Sequence, residues 1–129
     1  MIAGGSDTVE ETERVWAPPR WVFYNKHRPP PGLAWNTLVH ETGKPKGEAF
    51  YHARISVERQ QKLEMDCIAN GRLFSTIRHK RMYFIKMDDI IGASSGLETS
   101  YLYAEHLACG QVHGRPITAD ALRKKGANP

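Results

Sequence analysis

Leu73-Phe74-Ser75-Thr76-Ile77-Arg78-His79-Lys80-Arg81-Met82-Tyr83-Phe84-Ile85-Lys86-Met87 is the stretch of sequence that decides the predicted fold. Two apolar runs, in which successive residues alternate in character, flank the cationic group Arg78-His79-Lys80-Arg81. A period of two with aromatic and β-branched residues is typical of strands, so we predict a basic hairpin near residues 72–87. His79-Lys80 lacks the Gly or Asn of tight turns, so we expect a loop longer than two residues.

Length and composition predict one globular domain with a single core. The chain has 129 residues, of which 40% are apolar and 25% charged. The sequence has no apolar run of roughly 20 residues and no secretory signal pattern, so we expect neither a membrane span nor secretion. The two cysteines, Cys67 and Cys109, are too few for a disulfide framework and are expected to be reduced, buried thiols.

Charge and turn-forming residues suggest how the chain is organised. A net charge of +4 and a pI near 9.2 favour polyanionic partners only slightly. We predict a flexible acidic arm at residues 1–14, a single α/β domain at 15–125 and a linker-like tail at 126–129. The proline-rich segment Pro29–Gly32 is expected to be a stiff surface loop.

Outside the hairpin, four segments carry weaker secondary-structure signals. Trp21–Tyr24 is predicted as an edge strand, and Trp35–Val39 fits either a strand or a helical turn. Residues from about Glu48 to Asn70 are predicted as one helix or two, with Ser56 as an internal N-cap and Gly71 at the end. A last short helix should begin at Thr118 and run to Lys125.

A further helix is predicted from Gly96 to Cys109. Ser95-x-x-Glu98 fits the capping box that precedes many helices, and Gly110 fits the residue that follows their last turn. Helical spacing also connects an apolar set: Leu97, Tyr101, Ala104, Leu107 and Ala108. The predicted fold class is therefore α+β, a single domain in which two or three helices cover a mainly antiparallel sheet.

Three residue groups are candidates for a metal or catalytic site. His106, Cys109 and His113 have ligand-like spacing, but a zinc module usually has two close ligand pairs, so we predict no metal and no cofactor. Neither cysteine lies in a known nucleophile signature, and Asp88-Asp89 suits a turn better than a magnesium site. An enzyme is thus the weakest of the functional hypotheses, and we expect the protein not to be one.

Nucleic-acid binding is the function that the hairpin suggests. Cationic residues next to aromatic ones supply both phosphate contacts and stacking faces, which suit single strands or RNA. The alternative is a solvated edge hairpin whose cations prevent sheet-to-sheet aggregation. The candidate binding residues are Arg72, Phe74, Arg78, His79, Lys80, Arg81, Tyr83 and Lys86.

Two resemblances extend this hypothesis. Gly71-Arg72-Leu73 after a helix, followed by the basic hairpin and Asp88-Asp89-Ile90, resembles the end of excisionase-like winged-helix proteins over residues 56–91. That resemblance implies a DNA-binding regulator, in which the helix before Gly71 reads the major groove while Arg78, Lys80 and Arg81 contact the backbone.

The whole chain is similar to the small assembly and packaging accessory proteins of double-stranded RNA bacteriophages (cystoviruses). The likeness is in small size, a basic face, polar ends and the lack of catalytic signatures. It implies a non-catalytic viral protein that aids assembly, RNA packaging and polymerase-complex function. Its partners would be RNA or an acidic protein of the shell or polymerase, and its location the virion interior or the host cytoplasm.

A homodimer is the last expectation from the sequence. Trp16, Trp21, Trp35 and the proline loop are predicted to be exposed together, and a contiguous aromatic surface of this kind is typical of contacts between copies.

Overall fold

The computed structural model describes residues 16–129, so the arm predicted at residues 1–14 lies outside the described residues. The strands are β1 (Arg20–Trp21), β2 (Phe50–Tyr51), β3 (Arg72–Ile77), β4 (Lys80–Lys86), β5 (Gly92–Ser94), β6 (Leu97–Thr99), β7 (Tyr101–Leu107) and β8 (Gln111–Ile117). The helices are α1 (Trp35–Thr42), α2 (Val57–Asn70) and α3 (Ala119–Lys124), with one 3-10 turn at Asn25–His27. The predicted α+β class with a mainly antiparallel sheet is confirmed.

Two sheets form the framework. The larger has the order β1-β8-β7-β4-β3, and all its neighbours are antiparallel except β1 and β8. The smaller has the order β2-β5-β6 and is antiparallel throughout. Since β7 and β4 lie inside the larger sheet, these strands can carry buried side chains on both faces.

The hairpin predicted near residues 72–87 is confirmed as β3 and β4. Its turn is shorter than we expected, because Ile77 pairs with Lys80 and leaves only Arg78 and His79 in the loop. Arg78 accepts a left-handed conformation with φ of 56°. The apolar strands and a register shift between Leu73 and Ser75 fix the pairing, so the turn forms without glycine.

Helix α2 is shorter than the predicted segment from Glu48 to Asn70. It begins after Ser56, whose side chain accepts a hydrogen bond from the backbone N–H of Arg59 at 3.0 Å, while strand β2 occupies part of the preceding residues. The helix ends at Gly71 as predicted, but with φ of −78°. Glycine is needed there for space, since a Cβ would lie 2.4 Å from the carbonyl oxygen of Cys67.

The helix predicted from Gly96 to Cys109 is wrong: β6, β7 and a turn occupy this segment. Ser95 and Gly96 have φ of 54° and 82° and form a two-residue turn between β5 and β6, where Ser94 pairs with Leu97. Glycine at a left-handed position is typical of such hairpin turns. Strand β7 is central and buried on both faces, so its sequence lacks the alternation that indicates a strand.

The remaining elements are close to the predictions. Residues Trp35–Thr42 form helix α1, which decides between the two alternatives for that segment. The strand predicted at Trp21–Tyr24 is reduced to Arg20–Trp21 at the sheet edge. Helix α3 begins after Thr118, whose hydroxyl accepts a hydrogen bond from the N–H of Ala121 at 3.2 Å.

Helices cover both faces of the larger sheet. On the α2 face, the buried cluster comprises Tyr51, Ile55, Leu63, Cys67, Ile91, Leu102 and Ala104. On the α3 face, it comprises Met82, Phe84, Tyr103, Ile117, Leu122 and Ala127. Ala127 belongs to the tail predicted as linker-like, and the Arg72 guanidinium donates to the carbonyl of Asn128 at 3.1 Å. Of the two cysteines, Cys67 is buried as expected, whereas Cys109 is exposed.

Candidate functional site

The eight predicted binding residues lie on β3, β4 and the turn between them, but they do not share one face. Lys80 contacts a residue on the α3 face, and alternation along β4 places Lys86 on the same face. Tyr83 packs against the α2 cluster, and Arg81 shares its face. Arg72 and Phe74 pack on the α3 face, and Arg78 and His79 are exposed at the turn.

The two predicted aromatic residues contribute to the protein's own packing. The Phe74 ring lies 5.8 Å from the Phe84 ring and 6.2 Å from the Tyr103 ring. Tyr83 is half-buried against the cluster beneath α2. Since both rings are engaged by neighbouring side chains, phosphate contacts by the cations are better supported than base stacking.

Most of the hairpin cations keep an unneutralised charge. Lys80 Nζ lies 3.4 Å from Glu105 Oε2. Arg81 instead lies over the Trp16 ring, 4.1 Å from its centroid, and Arg72 lies 5.5 Å from the Phe84 centroid. Within residues 16–129, no carboxylate forms an ion pair with Arg72, Arg78, Arg81 or Lys86. Within the described residues, no ion pair therefore offsets these four charges, although Arg72 also donates to the Asn128 carbonyl.

A polar cluster that the sequence did not indicate lies on the α3 face. The register pairs Tyr103 with Arg115 and Glu105 with His113, so four polar side chains from adjacent strands lie on the same face. Glu105 accepts a hydrogen bond from the Tyr103 hydroxyl at 2.5 Å. His113 Nε2 and Lys80 Nζ each lie 3.4 Å from a Glu105 oxygen.

An open cleft of about 180 Å³ adjoins Glu105. It is lined by Tyr24, Lys26, His27, Tyr103, Glu105, His113, Gly114 and Arg115. The Tyr24 and His113 rings are 4.5 Å apart and form one wall. Arg115 and Lys125 lie 5.2 Å and 5.1 Å from the centroid of the Tyr103 ring, so positive charge lies in the cleft lining and beside it.

Burial shifts the titration of the cleft residues. It is the main cause that lowers the pKa of His27 and of His113, and the cations Lys26 and Arg115 lower both pKa values further. Burial likewise lowers the pKa of Lys125. Burial and the neighbouring Glu105 raise the pKa of Tyr103 well above its ordinary value. Both histidines are thus neutral near pH 7, and Tyr103 keeps its proton.

The incorrect helix prediction explains why this cluster was missed. Helical spacing places Tyr103 and Glu105 on different sides, whereas a strand places them on one face. The Tyr-x-Glu and His-x-Arg alternations were the available signal, and it appears only once both segments are recognised as strands. His106 lies apart from the cluster, with Nε2 3.1 Å from the carbonyl oxygen of Ala17. No group of three metal-ligating side chains occurs in the described part of the chain.

A second carboxylate is enclosed on the α2 face. Glu64 is 1% exposed and accepts hydrogen bonds from Trp21 Nε1 at 2.7 Å, Tyr51 Oη at 2.5 Å and Gln60 Nε2 at 3.2 Å. Burial raises its pKa, although these hydrogen bonds oppose the shift. Gln60 in turn accepts from Arg28 at 3.1 Å. Because Glu64 is closed off from solvent, it joins β1, β2 and α2 rather than meeting a ligand.

Comparisons with known proteins yield no relationship: no family model matches the chain, and neither do curated proteins or solved structures. Helix α2 is followed by the hairpin, as in the winged-helix resemblance, but strand β2 precedes it instead of a second helix of a helix-turn-helix unit. No helix among residues 16–129 has the length and apolar character required to cross a membrane.

Proposed function

We propose that this protein is a non-catalytic accessory protein that binds RNA through the phosphate backbone, using the cations of the β3–β4 hairpin. The observation that carries the proposal is the lack of internal carboxylate partners for Arg72, Arg78, Arg81 and Lys86 among residues 16–129. Cations that a fold leaves unpaired attract polyanions and release counterions on binding.

The geometry of the hairpin tip supports this proposal. An open depression of about 900 Å³ lies beside the turn, lined by Ile77, Arg78, His79, Lys80, Glu105, Leu107, Ala108 and Cys109. Its lining combines the turn cations with the aliphatic side chains of Ile77, Leu107 and Ala108. A backbone phosphate can therefore contact Arg78 while a sugar or base covers the exposed Ile77.

The resemblance to the accessory proteins of double-stranded RNA bacteriophages supplies a setting for the proposal. In that setting, the hairpin would contact viral RNA, or an acidic surface of the shell or polymerase, during assembly and packaging. A regulator that binds duplex DNA is the alternative, and the same binding experiment distinguishes the two.

The test is affinity across a salt series, for single-stranded RNA and for duplex DNA. The variant Arg78→Gln/Lys86→Gln removes two exposed charges without emptying the core, since neither side chain is buried. We expect the salt slope for single-stranded RNA to fall by roughly 0.7 for each phosphate that the variant no longer neutralises. Lys44→Gln is the matched control. Lys44 is also exposed, but it forms an ion pair at 2.6 Å with Glu41, a residue of α1.

Two outcomes would contradict the proposal. An unchanged slope and affinity in the double variant would exclude these hairpin cations from binding. Affinity for one duplex DNA site that exceeds non-specific binding by about 10³ or more would favour the regulator instead.

A further inference from the structure

We infer that the cleft beside Glu105 is a binding site for one phosphate monoester group, of the kind carried by a nucleoside monophosphate or by the terminal phosphate of an RNA strand. The site does not include Arg72, Arg78, Arg81 or Lys86, although Glu105 and Lys80 also line the depression beside the hairpin turn. Its occupancy therefore does not depend on the backbone contacts of the proposed function, and the two can be tested independently.

The balance of charge around the cleft favours an anion. Lys80 contacts Glu105, and Arg115 and Lys125 lie over the neighbouring Tyr103 ring. Lys26 lines the cleft from the segment after β1. Tyr103, His113 and Lys80 already satisfy the Glu105 carboxylate. The only other carboxylate that acts on the cleft groups is Glu48, as the weakest influence on His27, so within residues 16–129 four cations face one close carboxylate.

His27 adds a buried polar group that points to a ligand. It is 4% exposed, and its Nδ1 lies 2.9 Å from the carbonyl oxygen of Ala49. A carbonyl only accepts, so Nδ1 carries the proton and Nε2 of the neutral ring is an acceptor. Among residues 16–129 Nε2 has no hydrogen-bond partner. His27 thus brings an acceptor without a partner among these residues to the lining of the cleft.

These groups match the chemistry of a phosphate monoester. Arg115 supplies the planar set of donors that suits phosphate oxygens. A singly protonated phosphate can donate to Nε2 of His27 and accept from the cations. The dianion is best bound after the histidine takes up a proton. The cleft, at about 180 Å³, has room for a phosphate group.

The experiment is a titration of the full chain with inorganic phosphate, followed through the ring signals of His27 and His113 by NMR. We expect saturable shifts and a rise in the pKa of both rings on binding, because an anion stabilises their protonated forms. Arg115→Gln should weaken phosphate binding about tenfold or more, since it removes a charge-assisted contact. Lys125→Gln, at an exposed position, should weaken binding without disturbing the fold.

Two variants serve as controls. Arg123→Gln removes an exposed arginine on α3 that pairs with Asp120 at 2.7 Å, and it should leave phosphate binding unchanged. The hairpin variant Arg78→Gln should also bind phosphate normally, even if it loses affinity for RNA. The variants therefore distinguish a failure of the phosphate-site inference from a failure of the proposal that the hairpin binds RNA.

Further ligands identify the source of the phosphate. Tighter binding of a 5′-phosphorylated RNA than of the same RNA with a 5′-hydroxyl supports recognition of an RNA end. Equal affinity for the two RNAs, with saturable binding of a nucleoside monophosphate in the cleft, supports a free nucleotide. The absence of saturable phosphate shifts at His27 and His113, or equal shifts in the parent and in Arg115→Gln, would overturn the inference.

Discussion

Each face of the larger sheet holds one glutamate that accepts a hydrogen bond from a tyrosine, but the two have opposite surroundings. Glu64 on the α2 face receives its hydrogen bonds from the neutral donors Trp21, Tyr51 and Gln60 and is closed to solvent. Glu105 on the α3 face lies beside an open cleft, among Lys80 and other cations.

The difference separates a carboxylate that the fold encloses from one that borders the proposed anion site. Neutral donors satisfy the hydrogen-bonding capacity of the Glu64 carboxylate, which is closed to solvent, so this group stabilises the fold and offers nothing to a ligand. The cations around Glu105 exceed what one carboxylate can neutralise, and the excess is exposed to solvent in a cleft. Such an excess costs stability through repulsion and is relieved when an anion binds.

The largest effect that this comparison predicts is at Glu64. Glu64→Ala should lower the free energy of unfolding by about 3 kcal/mol or more, because it leaves several buried donors without an acceptor. Denaturant unfolding measures the loss. Gln61→Ala on the same helix is the control, since Gln61 is exposed, and it should change stability by less than about 0.5 kcal/mol. Equal losses of unfolding free energy in the two variants would contradict a structural role for Glu64.

A second large effect is expected at Gly114, which lies on β8 between His113 and Arg115. A Cβ there would lie 2.3 Å from the carbonyl oxygen of Tyr103 and 3.2 Å from Cγ of Glu64. Gly114→Ala should therefore force β8 away from β7, press on Glu64 of α2, and lower the free energy of unfolding by about 2 kcal/mol. Thermal or denaturant unfolding tests this, and an unchanged midpoint would show that α2 can shift without cost.

Replacing the glutamate of the α3 face by alanine should cost less stability than Glu64→Ala on the α2 face. Glu105→Ala should cost only about 1 kcal/mol, because the Glu105 carboxylate and Lys80 retain contact with water and the pair is partly screened. Denaturant unfolding beside Glu64→Ala gives the direct comparison. A loss as large as that of Glu64→Ala would make Glu105 a structural group too, and would contradict the division between the faces.

The sequence predicted the elements whose side chains alternate or whose ends carry clear caps. The β3–β4 hairpin consists of two alternating runs rich in aromatic and β-branched residues, and Ser56 and Thr118 cap α2 and α3, so these elements were found. Strand β7 could not be found in this way. Its burial on both faces removes the alternation, and Ser95-x-x-Glu98 imitates a helix cap although Ser95-Gly96 is a turn.

The candidate sites also divide into one that the sequence predicted and one that it did not. The hairpin cations were identified because they are contiguous in sequence, whereas the cleft assembles residues from β7, β8 and the segment after β1. Its members are brought together only by the register that pairs Glu105 with His113. The buried network of Glu64 was equally inaccessible to the sequence, since Trp21, 43 positions away, supplies one of its donors.

The smallest predicted effect concerns the titration of the α3 face. The pKa of His27 and of His113 is lowered, chiefly by burial, from the ordinary value of 6.5. As pH falls through 6.5, the unfolded chain binds protons before the folded protein does, so stability should decline below about pH 6.5 toward the folded pKa values. Once both rings are protonated in the folded state, further acidification causes no additional loss of stability from these two groups.

Variants next to His113 test the cause of this shift. The Glu105 carboxylate raises the pKa of His113 and Lys80 lowers it, each less than burial does. By NMR, Glu105→Ala should therefore move the His113 titration to lower pH, and Lys80→Met should move it to higher pH, while the more distant Lys44→Gln leaves it in place. A parent His113 that titrates above pH 6.5 would mean that its carboxylate contact outweighs burial. In that case the α3 face would resemble the α2 face, with a glutamate fully engaged by its own neighbours and no excess of charge left for a ligand.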